Sequence, residues 1–77
     1  MKKVGFIDYY LNEWHADNYP EFLEKETNGE YKVCYGYGKI DCPHGMTNKD
    51  WCDKYGVELC KTPEEVIEKS DVLIVLA

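Results

Sequence analysis

Val4-Gly5-Phe6-Ile7-Asp8-Tyr9-Tyr10-Leu11-Asn12-Glu13-Trp14-His15 sets a short apolar strand against a loop and the start of a helix. Val4, Phe6 and Ile7 make the strand, close to the N-terminus. In a dinucleotide-binding α/β fold the loop that follows carries G-x-G-x-x-G. Its glycines make the tight turn, admit backbone close to pyrophosphate and allow close helix–strand packing. Here the loop reads Asp8-Tyr9-Tyr10-Leu11-Asn12-Glu13. The stretch therefore points to that fold and argues against its usual grip on a ligand.

The remaining sequence continues the alternation as β-α-β-α-β-α-β. The first strand covers about Lys3 to Ile7. A helix is expected from about Asn12 to Lys25, where Leu11, Trp14, His15, Asn18, Tyr19 and Phe22 recur at helical spacing. Pro20 removes a backbone donor inside it and predicts a kink or restart. Asn28-Gly29 is the stop. A second strand follows over Tyr31 to Tyr37, with Val33, Tyr35 and Tyr37 on one face. Gly38 to Gly45 form a loop. Thr47 caps a short helix over Asn48 to Tyr55, and Gly56 ends it. Val57 to Cys60 make a third strand. In Thr62-Pro63-Glu64-Glu65 the threonine caps, the proline takes the first helical position, and Glu65 returns a bond to the cap nitrogen. Val66 and Ile67 face the sheet. Val72-Leu73-Ile74-Val75-Leu76-Ala77 lacks alternation, as a parallel strand covered on both faces does. Strands alternating with helices predict a parallel sheet with right-handed crossovers, a Rossmann-like fold.

The chain has 77 residues and a net charge of −6, and all its basic residues are lysines. An acidic surface without arginine argues against nucleic acid, whose phosphates recruit clustered Lys and Arg. No apolar run reaches the roughly 18 residues of a membrane span. Asp8 cuts the first apolar run short of a signal core, so a cytoplasmic location is expected. Chains this short bury little surface. Residues 1–77 are read as the N-terminal part of a larger domain. Cys34, Cys42, Cys52 and Cys60 are read as free thiols. A metal site at Cys42, His44 and Cys52 is a weaker alternative, because the spacing fits no familiar zinc pattern.

Four stretches together resemble the Gfo/Idh/MocA family of oxidoreductases. Lys3-Val4-Gly5-Phe6-Ile7 is similar to the family's opening strand, and Trp14-His15-Ala16 to its first helix. Tyr55-Gly56-Val57 resembles the approach to its third strand. Thr62-Pro63-Glu64-Glu65-Val66-Ile67 with Ser70-Asp71-Val72-Leu73-Ile74-Val75 resembles its third helix and fourth strand. The resemblance spans nearly the whole chain. It implies the NAD(P)-binding part of an enzyme that moves a hydride to or from a sugar-like or polyol substrate, with the substrate carried by a further domain. It also implies a homo-oligomer at full length. The family's catalytic lysine and acid–base residues would lie beyond Ala77, so no catalytic residue is assigned.

Carried onto this chain, the cofactor site falls on Asp8, Tyr9, Tyr10, Leu11 and Asn12, on Tyr37 and Lys39 after the second strand, and on Leu76 and Ala77 after the fourth. The family's ribose-binding acidic residue has no clear counterpart at the end of the second strand. Lys39 stands near that place, where a 2′-phosphate would favour NADP over NAD. Against these readings stand plainer ones. Tyr9 and Tyr10 also suit packing on another domain. His15 suits a hydrogen-bonded place in the core. Tyr31, Tyr35 and Tyr37 suit strands. The alternative function is a Rossmann-like binding or structural module that no longer holds a dinucleotide tightly.

Overall fold

The computed structural model describes residues 1–12 and 14–75, with the side chains of residues 14–16 excepted. Expectations for Glu13, for the packing of Trp14 and His15, and for Leu76 and Ala77 lie outside the described residues. The elements are β1 (Lys2–Asp8), α1 (Trp14–Glu26), β2 (Tyr31–Gly38), α2 (Asn48–Tyr55), β3 (Glu58–Leu59), α3 (Pro63–Lys69) and β4 (Val72–Val75). The four strands form one parallel sheet in the order β3-β2-β1-β4. The expected α/β architecture is therefore present. The chain builds outward from β1 in one direction, then crosses back to place β4 on its other side. That reversal between β1 and β4 is where open α/β sheets form a crevice at the carboxyl ends of their strands.

The two faces of the sheet are built differently. Phe6 is fully buried and meets the Tyr19 ring of α1 at 6.3 Å and the Trp51 ring of α2 at 6.2 Å. Val4, Leu11, Val33, Trp51, Cys52 and Val57 complete this core. Burying a side chain the size of Phe6 contributes on the order of 3 kcal/mol. On the opposite face α3 lies almost on the sheet. A Cβ on Gly5 would overlap Ser70 Oγ and Val66 Cγ1, so α3 packs this closely only over glycine.

The caps form as the sequence implies. Thr47 Oγ1 accepts from Asp50 N at 3.2 Å, and Gly56 closes α2 in the left-handed region at φ 68°. Thr62 Oγ1 accepts from Glu65 N at 3.1 Å, and Pro63 opens α3. Asn28 and Gly29 turn the chain out of α1 with φ of 52° and 78°.

Several expectations are corrected. Val33 does not share a face with Tyr35 and Tyr37. Val4 pairs with Val33 but Gly5 pairs with Tyr35, so Cys34 is an extra residue in β2. Such a bulge reverses the alternation. Val33 and Gly36 face the core, and Tyr35 and Tyr37 pair with residues of the α3 face. Helix α1 runs through Pro20 without a restart. Among its described side chains Tyr19 and Leu23 pack on the core, whereas Asn18 and Phe22 are exposed. Glu65 returns its bond to Lys61 N at 2.8 Å, one residue before the cap. Ile67 is exposed while Val66 is fully buried, because a helix this short presents one residue to the sheet. On β4, Leu73 and Val75 are exposed, so the strand is not covered on both faces.

Candidate functional site

The carboxyl ends of β1 and β2 carry the sequence-predicted site. The two strands remain zipped past their ends: Lys39 N donates to Asp8 O at 3.2 Å and Ile40 N to Tyr9 O at 2.8 Å. That brings Asp8, Tyr9 and Lys39 together. Tyr9 is half exposed, at 49%. Its ring meets that of Tyr10 edge-on at 5.9 Å, and Lys39 Nζ stands 6.0 Å from its centroid. The result is an open aromatic surface with one cation beside it. Tyr37 pairs with Ile7 on the α3 face of the sheet and so stands on a different side from the Asn12 loop described next.

Asp8 and Leu11 are not exposed ligand contacts. Asp8 is buried, and its Oδ1 accepts from Tyr9 N at 2.7 Å. Leu11 is fully buried in the core. Its amide, one of those the fold would offer to a phosphate, donates instead to Asn48 Oδ1 at 2.9 Å.

The sequence marks Asn48 only as the first residue of α2, yet it organises this end of the molecule. It is buried, and its Nδ2 donates to Gly38 O at 3.1 Å and Ile40 O at 2.8 Å. Its own amide donates to Asp41 Oδ1 at 2.9 Å. Asn12 makes the second tie. Its Oδ1 accepts from Met46 N at 2.7 Å, and its Nδ2 stands 3.2 Å from both carboxylate oxygens of Asp17. Trp51 Nε1 donates to Asp17 Oδ1 at 2.7 Å, joining the network to the core. Two glycines make room for these amides: a Cβ on Gly38 would overlap the Asn48 carboxamide, and one on Gly45 would overlap Asn12 Oδ1. The sequence shows Gly38 and Gly45 only as the bounds of a loop, and their role in seating the two amides depends on the fold.

The two buried thiols, Cys52 and Cys60, are poor nucleophiles. Burial, with a smaller contribution from the Asp53 charge, pushes Cys52 from the usual 9.0 up to about 12. Burial and then Glu65 and Glu58 raise Cys60. A protonated, enclosed thiol is inert. No cluster of three His, Cys, Asp or Glu side chains suited to a metal occurs among the described residues. Cys52 is buried in the core, whereas Cys42 and His44 belong to the loop between β2 and α2.

Apart from the strand ends, a groove of about 380 Å³ runs between α1 and β4, lined by Asn18, Tyr19, Phe22, Leu23 and Ile74. Among the described residues, none of the predicted site residues lines it. No helix among the described residues is long and apolar enough to cross a membrane.

Comparison with protein-family models, with curated proteins and with solved structures returned no match.

Proposed function

We propose that this chain is the cofactor-binding part of an NAD(P)-dependent oxidoreductase of the Gfo/Idh/MocA type, serving hydride transfer to or from a sugar-like or polyol substrate. The observation that carries the reading is the strand order β3-β2-β1-β4, in which Tyr9 and Tyr10 follow β1 at the sheet's reversal point and Lys39 follows the neighbouring β2. Ligands of open parallel sheets bind there. The aromatic pair suits a base, and Lys39 suits a phosphate on the adenosine ribose, so NADP is the favoured form. The pyrophosphate end fits less well. With the Leu11 amide committed to Asn48, the loop as it stands offers that donor to no ligand. The substrate domain, the catalytic groups and homo-oligomerisation belong to the same proposal.

That engaged amide favours a second reading, a Rossmann-like binding or structural module without tight dinucleotide affinity. Thermal denaturation with millimolar NADH or NADPH separates the two. A cofactor-dependent rise in melting temperature, larger with NADPH, is expected for the enzyme. No rise with either cofactor favours the module.

A further inference from the structure

The loop between β2 and α2 is built to lie where it lies. Residues 39–48 start zipped to the end of β1 through Lys39 and Ile40, pass Asn12 at Gly45 and Met46, and end at buried Asn48. Both donors of the Asn48 carboxamide and its oxygen are used. Buried amides left unsatisfied are costly, so a fully satisfied one marks a defined closed arrangement. Gly38 and Gly45 each remove a Cβ that would collide with one of the two asparagines. The missing glycines of the β1 loop thus have counterparts on the neighbouring segment, where Gly38 pairs with Asp8 and Gly45 abuts Asn12. They seat side-chain amides of the chain itself where the fold ordinarily seats a ligand.

We propose that residues 39–48 form a strap that closes the phosphate end of the cleft, with Asn48 Oδ1 standing in for a phosphate oxygen on the Leu11 amide. A phosphate-bearing ligand reaches that amide only after the strap lifts. Asn48 and Asn12 hold it down, and Gly45 permits their fit. This deepens the cofactor reading for the phosphate end and rests on it only for the identity of the natural ligand.

The test uses inorganic pyrophosphate as probe on the wild-type protein, on Asn48→Ala and on Gly45→Ala. Gly45→Ala pushes the strap off Asn12 while keeping the buried Asn48 side chain, and so serves if Asn48→Ala fails to fold. Calorimetry should show pyrophosphate binding about tenfold tighter in a folded variant, the effect of roughly one hydrogen bond regained. In the wild type the Leu11 amide resonance should stay unmoved by pyrophosphate. Folded variants that bind no tighter than wild type, or a wild-type Leu11 amide that shifts on pyrophosphate addition, overturn the strap. NADPH run in parallel keeps the two proposals apart. Gain for pyrophosphate without any NADPH affinity sustains the strap and sinks the cofactor reading. Tight NADPH binding by wild type with no gain in the variants does the reverse.

Discussion

At Gly5 a hydrogen atom occupies the space that any side chain would contest with Ser70 Oγ and Val66 Cγ1. Both neighbours belong to the end of α3 and its cap, so the clash cannot be relieved by swinging a flexible tip aside. Gly5→Ala is expected to cost about 2 kcal/mol, the range for overpacking a tight contact, read as a lower urea midpoint. Ser70 Oγ is buried there with no hydrogen-bond partner among the described residues. Ser70→Ala should therefore be neutral or stabilising, by up to about 1 kcal/mol in the same urea experiment, since no bond is lost. Cys52 gives a pH dependence. Its thiol is raised from 9.0 to about 12 in the fold, mainly by burial. The unfolded chain ionises first, so as pH rises above 9.0 the unfolded state binds fewer protons and stability falls until about pH 12. Below 9.0 the contribution is fully present. Urea melts at several alkaline pH values should show this slope, and Cys52→Ala should reduce it, leaving the part due to Cys60. An unchanged slope in the variant contradicts the assignment.

Among the elements, helix ends and strand positions were legible because single residues specify them. Thr47, Gly56, Thr62 and Pro63 act through backbone groups next to themselves, and all four sit where the sequence puts them. Thr62→Ala should lower stability by about 1 kcal/mol in chemical denaturation. What the sequence concealed depends on partners far along the chain. The bulge at Cys34 is a property of the β1–β2 register, and no local signal in Tyr31 to Gly38 announces it. Alternation alone therefore assigned Tyr35 and Tyr37 to the wrong side. Pro20 is the converse case, a strong local signal that tertiary packing overrides. Tyr19 and Leu23 on either side of it pack against the core and carry α1 through. The lost backbone bond remains a cost, so Pro20→Ala is expected to stabilise the protein by at least about 1 kcal/mol. A lower melting temperature in that variant would show that the proline is needed for the helix path.

For the whole molecule, the alternation of strands and helices was enough to give a parallel sheet, and the return of β4 beside β1 completes its order. The candidate site was legible only in outline. Tyr9, Tyr10 and Lys39 meet at the strand ends, but the Leu11 amide faces Asn48. Nothing in the spacing of Asn48 marks it as buried, because helical periodicity reports apolar residues and is silent about a polar keystone. The central issue is whether a dinucleotide uses these strand ends. An NMR titration of the protein with NADPH decides it most directly. Saturable shifts at Tyr9, Tyr10 and Lys39 at submillimolar to millimolar cofactor are expected, with little change in the apolar groove at Phe22 and Leu23. Resonances at Tyr9, Tyr10 and Lys39 that stay fixed through millimolar NADPH would contradict it.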